Sequence, residues 1–382
     1  MQISNFDPAT FLRDYWQRKP LLVRGAFADW QNPLEPDELA GLACEDDVEA
    51  RIVTRRGAIW TLERGPFSEA RFASDGADPW TLLVQAVDHY VADVAALVQP
   101  FRFVPDWRID DVMVSYASDG GGVGPHFDRY DVFLAQGLGR RRWRLGGQCD
   151  GSSAMLPHDD LCLLSAFEPQ EEFVLEPGDM LYVPPGMAHD GVAVGDDCMT
   201  YSVGFRAPAR SELVAHWCDH VLEGIAVDDL YTDPALQPQA NPGEIDPAAL
   251  ARLQEMVTRE LAAPGAFARW FGEYTSAPKY PDADWRPEEP AGPEMVGHLL
   301  EQGALLLRNP ASRTAFVRVP GGITLFADGA SFDCPDELAP LAEAICAEAE
   351  VTVPAPLLRN KAALTLLSTL HDIGVLAFES ED

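Results

Sequence analysis

The 382-residue sequence is short of lysine and of long apolar runs. Only three of its 28 basic residues are lysines (Lys19, Lys279 and Lys361), against 61 acidic residues, which gives a formal net charge of −33. Such a surface repels nucleic acid and favours cationic partners, although charge alone reports on association rather than on chemistry. Adaptation of the whole surface to a salty environment would produce the same acidity, so both interpretations stay open.

Paired cysteines and targeting segments are also lacking. The seven cysteines are an odd number, are widely scattered and include no CxxC pair, so buried free thiols are expected rather than a disulfide framework or zinc ribbon. The N-terminal stretch MQISNFDPATFLRDYW has neither the basic nor the apolar region of a signal peptide. No run approaches the roughly 18 apolar residues of a membrane span. We therefore expect a cytoplasmic protein with no membrane partner.

What the sequence does contain is a block of short strand patterns between residues 110 and 206. They are β-branched and aromatic, are broken by Gly, Pro and Asp, and read DVMVSYA, DVFLAQG, RRWRLGG, EEFVLEPGD, MLYVPP and MTYSVGF. This pattern is typical of an all-β barrel or sandwich, not of alternating strands and helices. Helical patterns flank the block at 7–19, 80–98, 209–223, 246–262 and 265–274.

The chemistry is concentrated in GGGVGPHFDRYDVF, where a His and an Asp separated by one residue follow four glycines and a proline. Residues two apart in a β-strand point to the same face, so His126 and Asp128 would aim an imidazole and a carboxylate into one space. About sixty residues on, EPGDMLYVPPGMAHDG supplies His189 from another strand. Two histidines and one carboxylate form the facial triad of non-haem Fe(II) oxygenases. An HxD alone is weak evidence; the second motif and the all-β context make the prediction specific.

These motifs resemble those of the JmjC-type, cupin-fold 2-oxoglutarate oxygenases, and within them the bacterial ribosomal oxygenases. The resemblance is carried by DWRIDDVMVSY, GGGVGPHFDRYDVFLAQGLGRRRWRLG, EPGDMLYVPPGMAHDG and YSVGFRAP. It implies an α+β chain with a double-stranded β-helix catalytic domain at 1–207 and a helical dimerisation region at 208–276. A Pro-rich linker at 277–294 and a winged-helix-like domain at 295–382 would follow.

The resemblance also implies Fe(II), 2-oxoglutarate and O₂, with His126, Asp128 and His189 as the metal ligands. Arg141 stands where family members bind the distal carboxylate of 2-oxoglutarate, and a guanidinium suits a bidentate pair with a carboxylate. The run RRRWR leaves the register open, because a slip of one residue would reverse which arginines face inward.

Further candidates rest on less specific patterns. Tyr116 and Ser202, on neighbouring strand patterns, are expected to donate hydrogen bonds to the cosubstrate. Asp119, at the edge of the glycine loop, is expected to receive a substrate guanidinium, with an Asx-turn as the alternative. His216 and His220 have the spacing of a zinc pair on a helix, but the glutamate of an HExxH motif is missing, so helix-face or interface histidines are the better interpretation.

The activity implied is hydroxylation of an arginine side chain, at C3, in a large-subunit ribosomal protein, by a homodimer. Alternatives are a JmjC hydroxylase of another residue such as His, an N-methyl-lysine demethylase, or a non-catalytic cupin metal-binding assembly factor. A ligand triad together with a cosubstrate arginine favours an enzyme, since a binding module has no use for the arginine. Residues 291–382 carry 13 acidic against five basic side chains, so the winged-helix-like region is not expected to bind DNA.

Overall fold

The computed structural model of the protein describes residues 2–72, 78–262 and 264–379. By internal contacts the chain forms two compact units. The first comprises Met1–Ala207 with the short segment Asn309–Ala311, and the second comprises Pro208–Arg308 and Ser312–Asp382. Among the helices of the described ranges, none has both the length and the apolar character that crossing a membrane requires.

The first unit consists mainly of strands. They are β1 (Leu21–Val23), β2 (Ala50–Arg56), β3 (Ile59–Arg64), β4 (Trp80–Val84), β5 (Ile109–Ala117), β6 (Asp131–Leu138), β7 (Arg141–Gln148), β8 (Glu171–Leu175), β9 (Met180–Val183), β10 (Met187–Ala193) and β11 (Cys198–Phe205). Its α-helices are α1 (Pro8–Asp14), α2 (Pro36–Leu42), α3 (Glu69–Phe72) and α4 (Ala92–Ala95), and 3₁₀ turns span Val87–His89, Ala96–Phe101 and Asp106–Arg108.

These strands make two antiparallel sheets. The larger has the order β1-β9-β6-β11-β5-β4-β2-β3, and the smaller has the order β10-β7-β8. Apolar side chains from β6, β7, β8 and β9 form one buried cluster that joins the two sheets: Val132, Leu134, Trp143, Leu145, Leu175, Leu181 and Val183. The arrangement agrees with the double-stranded β-helix that the resemblance implied.

The other face of the larger sheet is covered by the N-terminal segment. Asp7 caps α1 by accepting a hydrogen bond from the Thr10 amide at 2.9 Å, and Pro8 occupies the first turn, where its missing N–H costs nothing. The helix thereby buries Phe11, whose ring meets Tyr182 of β9 edge to face at 4.8 Å. A second apolar core therefore supports the sheet from outside, and the predicted helix at 7–19 is confirmed over its first half.

The helix predicted at 80–98 is wrong. Trp80–Val84 is strand β4, hydrogen-bonded between β2 and β5, and only 3₁₀ turns and the four-residue α4 follow it. A continuous apolar run such as WTLLV fits a fully buried strand as well as a helix, and periodicity cannot separate the two. Hydrogen-bonded partners on both sides, 26 residues or more away along the chain, make this segment a strand.

The second unit mixes helices and short strands. They are α5 (Arg210–Gly224), α6 (Pro247–Leu261), α7 (Pro264–Ser276), α8 (Pro293–Glu301), β12 (Leu306–Arg308), β13 (Thr314–Val319), β14 (Gly322–Ala327), β15 (Ala330–Pro335), α9 (Ala339–Ala347), α10 (Lys361–Asp372) and β16 (Leu376–Phe378). The meander β13-β14-β15 and the pair β12-β16 share one apolar core with α8, α9 and α10. The three helices predicted between 209 and 274 and the strands TAFVRV and GITLFA are confirmed.

Candidate metal centre

His126 and His189 are locked together by the backbone. The amide of each donates to the carbonyl of the other, at 3.0 and 2.8 Å, and their rings are tilted by 59° with centroids 4.2 Å apart. This pair is an isolated bridge, so His126 and Asp128 lie in an extended segment before β6 and not, as predicted, within a regular strand. The Gly186 amide donates to the Asp128 carbonyl at 2.7 Å and fixes the second end of the segment.

The side chains of the triad converge. One ligand atom from each of His126, Asp128 and His189 lies within 4.8 Å of the other two, and Nε2 of His189 is 3.5 Å from Oδ2 of Asp128. Among the residues that the structure describes, no other group of three or more His, Cys, Asp or Glu side chains brings its ligand atoms within 4.8 Å of one another. The fold therefore assembles the predicted triad from two segments about sixty residues apart.

The local hydrogen bonds prepare both imidazoles to act as ligands. Nδ1 of His126 is 2.8 Å from the Gly124 carbonyl, and Nδ1 of His189 is 2.9 Å from the Met187 carbonyl. A carbonyl accepts only, so Nδ1 carries the proton and the Nε2 lone pair is left for a metal. Burial and the neighbouring His126 lower the pKa of His189 to about 4, which keeps that ring neutral. Two imidazoles that each direct Nε2 toward one point, together with a carboxylate, fit a non-haem Fe(II).

Two glycines of the loop before the triad are needed for close packing. A Cβ on Gly122 would lie 2.5 Å from the Gly191 carbonyl oxygen of β10, and one on Gly121 would lie 2.3 Å from the Trp80 carbonyl oxygen of β4. Both neighbours are backbone atoms and cannot move aside. A side chain at Gly122 would therefore push the segment that carries His126 away from β10, and one at Gly121 would push the loop away from β4.

Arg141 faces the interior between the two sheets. Arg141, Trp143 and Leu145 of β7 are buried, whereas the alternate Arg142 and Arg144 are half-buried, which settles the register of the RRRWR run. The Arg141 side chain donates through Nη1 to the Ser115 hydroxyl at 3.3 Å. Its Nε and Nη2 are buried and have no acceptor among the described residues. A buried guanidinium whose donors lack a carboxylate is a ready site for an anionic ligand.

Ser202 and Tyr116, the two predicted hydrogen-bond donors, point to opposite faces of the larger sheet. Ser202 of β11 is 8% exposed and faces Leu134 and Met113 on the adjoining strands. Tyr116 of β5 points the other way, packing on Trp80 and donating through its hydroxyl to Oδ1 of Asp197 at 2.8 Å. The structure therefore does not bring Tyr116 to Arg141.

Ser115, which the sequence interpretation passed over, holds the inward position beside Tyr116. It contacts Arg141 and is 2% exposed. Successive residues of a strand face opposite sides, so an assignment displaced by one residue selects the wrong face. The alternation in VMVSYA offered the signal, because Val112 and Val114 are core residues on the face that Tyr116 shares.

Asp119 lies at the far end of the loop. Its Oδ1 accepts a hydrogen bond from the Gly195 amide at 2.7 Å, just beyond β10. His189 and Ala193 are four residues apart on β10, which corresponds to about 13 Å at roughly 3.3 Å per residue, and Asp119 lies past Ala193. The structure does not bring Asp119 to the triad, and its observed contact fastens a loop.

Tyr130 is a further residue of the site that the sequence interpretation missed. Although Tyr130 is 43% exposed, desolvation of its phenol and the charge of Asp128 raise the pKa of that phenol, so the hydroxyl stays protonated beside the Asp128 carboxylate. The spacing offered a signal, since Tyr130 follows Asp128 by the same two residues that separate Asp128 from His126.

His216 and His220 have no metal-ligand partner in the described part of the chain. The His216 ring lies 5.4 Å from Tyr274, and the His220 ring stacks on Trp217 at 5.5 Å. Both are exposed on α5. The interpretation as helix-face histidines agrees with this packing.

Two antiparallel sheets enclose two histidines, a carboxylate and a buried arginine that has no carboxylate partner among the described residues. This combination defines a cupin-type protein with a facial-triad metal centre. Comparison with known proteins is consistent with this class. Residues 96–213 match the model of the JmjC domain, and residues 255–376 match that of the ROXA-like winged helix. The first match contains the whole triad and Arg141.

Three relatives are similar over most of the chain or a large part of it. The chain is 38% identical over 371 residues to the ribosomal protein uL16 3-hydroxylase of Escherichia coli, covering 97% of both proteins. It is 39% identical over 264 residues to a probable ribosomal oxygenase of Haemophilus influenzae, covering 68% of this chain and 61% of that one. The solved structure of an Escherichia coli ribosomal oxygenase with cobalt and 2-oxoglutarate superposes with a TM-score of 0.88 at 37% identity, covering 99% of each. The chain belongs to the JmjC family of ribosomal oxygenases.

Proposed function

We propose that the protein is an Fe(II)- and 2-oxoglutarate-dependent oxygenase that hydroxylates an arginine side chain, at C3, of the large-subunit ribosomal protein uL16. The observation that carries the proposal is the presence, within one domain, of a facial triad and of a buried arginine that no carboxylate of the described residues contacts. The Escherichia coli relative, named a uL16 3-hydroxylase, and the relative solved with cobalt and 2-oxoglutarate support it. A metal-binding assembly factor would need the triad but not the arginine.

In this proposal His126, Asp128 and His189 hold the metal and leave three coordination positions open. With Fe(II) bound, the centre supplies the oxidising chemistry by which O₂ and 2-oxoglutarate convert a C–H bond into C–OH, with succinate and CO₂ as the other products. The hydrogen bonds from the Nδ1 atoms to backbone carbonyls keep both rings in the ligating orientation. The protein's part is to position ligands and to restrict water.

Arg141 is proposed to bind the distal carboxylate of 2-oxoglutarate through Nε and Nη2, the two donors that find no acceptor in the described part of the chain. The Ser115 hydroxyl, on β5 of the larger sheet, orients the guanidinium from across the space between the two sheets. Ser202 lies on the same inward face and is proposed to line the pocket.

The proposed partner is basic. Ribosomal proteins are rich in Arg and Lys, and a chain with a net charge of −33 attracts them within a Debye length of about 8–10 Å at ordinary ionic strength. Because the substrate is a ribosomal protein, the proposed location is the cytoplasm. The carboxylate that meets the substrate guanidinium was expected to be Asp119, but its contact with Gly195 favours a loop-fastening role.

The direct test is mass spectrometry of uL16 incubated with the protein, Fe(II), 2-oxoglutarate and O₂. We expect a single gain of 16 Da, located by fragmentation on one arginine, and no gain with the His126→Ala variant. A gain on histidine, or loss of a methyl group from a lysine, would replace the proposal by one of the other JmjC activities. Stable metal binding without any 2-oxoglutarate turnover would favour the assembly factor.

We further propose that residues 208–276 form a homodimer interface, followed by a linker at 277–294 and a winged-helix-like domain at 295–382. Helix α6 buries none of its residues within the chain, yet it presents Leu250, Leu253 and Val257 on one face, 51%, 40% and 60% exposed. Exposed apolar side chains at this spacing mark an association surface.

Light scattering tests the dimer. Leu253→Glu combined with Val257→Glu should yield monomers, because each change buries a charge in the proposed interface. Ala251→Glu adds the same charge on another face of α6 and should leave the dimer intact. A monomeric parent protein at micromolar concentration would contradict the interface.

A further inference from the structure

The indole N–H of Trp143 is buried and donates no hydrogen bond to any of the described residues. The side chain is 5% exposed, and among the described residues its indole Nε1 has no acceptor. Buried polar groups are hydrogen-bonded in the great majority of cases, and an unmade bond is costly. By contrast, the indole N–H of Trp30 in the same unit donates to the Gly137 carbonyl at 2.9 Å. The unmet donor of Trp143 therefore calls for an explanation.

The indole occupies a place that β10 leaves open for it. Trp143 pairs with Gly191 across the small sheet, and a Cβ at Gly191 would lie 2.6 Å from Cζ3 and Cη2 of the ring. Gly191 follows His189 by two residues and so shares its face of β10. The edge of the ring that touches Gly191 is the one opposite Nε1, so the N–H is turned away from the β10 backbone at this point.

The ring also lies next to both ends of the proposed cosubstrate site. Its centroid is 5.8 Å from the Arg141 guanidinium carbon and 5.9 Å from the His189 ring centroid. A dicarboxylate such as 2-oxoglutarate, with one end at Arg141 and the other at a metal held by His189, would therefore lie close to the indole. The geometry connects the unmet donor to the same ligand that would meet the unpaired donors of Arg141.

We infer that Trp143 is a positioning residue for the cosubstrate, its indole N–H donating to an oxygen of the dicarboxylate that Arg141 holds. The inference rests on the proposed function. Gly191 is its structural counterpart, since the ring can lie across β10 only where no side chain projects. Trp143 belongs to the apolar cluster between the sheets, together with Leu145 and Leu175. Leucine side chains carry no hydrogen-bond acceptor, so packing within this cluster does not account for the indole N–H.

The first test is calorimetric binding of 2-oxoglutarate to Mn(II)-loaded protein without O₂. Trp143→Phe keeps an aromatic ring but removes the N–H, and we expect about tenfold weaker binding, equivalent to about 1.4 kcal/mol. Trp30→Phe is the matched control; it removes an indole N–H that serves a protein acceptor and should leave the affinity unchanged. Gly191→Ala retains the indole but displaces it, and should weaken binding as well.

The second test observes the donor in the unmodified chain and does not depend on the folding of a variant. In ¹⁵N spectra of Zn(II)-loaded protein, the Trp143 indole N–H signal should move downfield on saturation with 2-oxoglutarate, as expected for a new bond to a carboxylate; the Trp30 signal should stay. Unchanged affinity in Trp143→Phe, or an unshifted Trp143 signal at saturation, would overturn the inference. If the parent protein itself failed to bind 2-oxoglutarate, the proposed function would fail instead.

Discussion

Replacing Arg141 by methionine should separate cosubstrate binding from stability. Methionine retains much of the apolar stem and removes the guanidinium, whose Nε and Nη2 have no partner in the described protein. Charge-assisted hydrogen bonds contribute roughly 1.5–3 kcal/mol, so 2-oxoglutarate affinity should fall by roughly tenfold to a hundredfold. Burying a cation without a counter-ion costs several kcal/mol, so the free energy of unfolding of the ligand-free protein should not decrease.

Two measurements check this pair of effects: calorimetric binding of 2-oxoglutarate to Mn(II)-loaded protein, and urea unfolding of the ligand-free protein. Arg142→Met is the matched control, since Arg142 is next in sequence but on the opposite face of β7. Greater loss of affinity in Arg142→Met than in Arg141→Met would show that the assigned inward face is not the binding face. Marked destabilisation by Arg141→Met with unchanged affinity would make Arg141 a structural residue.

Three further predictions concern single carboxylates. Asp128→Ala should abolish both Co(II) binding, followed by visible absorption, and succinate formation, while circular dichroism stays unchanged; near-normal succinate would remove Asp128 from the ligand set. Asp119→Asn keeps an acceptor for the Gly195 amide and should hydroxylate an arginine peptide normally, whereas a severalfold loss would mean that the charge of Asp119 meets the guanidinium. Burial raises the pKa of Asp328, so its contribution to stability is full at low pH and is lost as pH rises through that pKa; Asp328→Asn should therefore be more stable than the parent to urea at pH 7.5, by a margin that shrinks toward pH 4.

The sequence alone identified the metal-ligand candidates His126, Asp128 and His189, because two histidines and a carboxylate occur there in motifs typical of a facial triad. An HxD behind a glycine loop and a second histidine motif in a block of short strands predicted the triad. The family resemblance singled out Arg141, while the RRRWR run left open which arginines face inward. Local signals also located the elements that begin with their own caps. Asp7 and Pro8 mark the start of α1, and Asp246 and Pro247 mark that of α6.

Tertiary structure decided everything that depends on a distant partner. Trp80–Val84 is a strand because β2 and β5 pair with it on both sides, and Ser115 rather than Tyr116 meets Arg141 because pairing with β4 and β11 fixes the face of β5. His126 becomes a ligand neighbour of His189 through an isolated backbone bridge that no local propensity encodes. Strand faces alternate with a period of two, so the pattern of one strand is equally consistent with two opposite orientations. Only long-range hydrogen bonding and the packing of the two sheets select one of them.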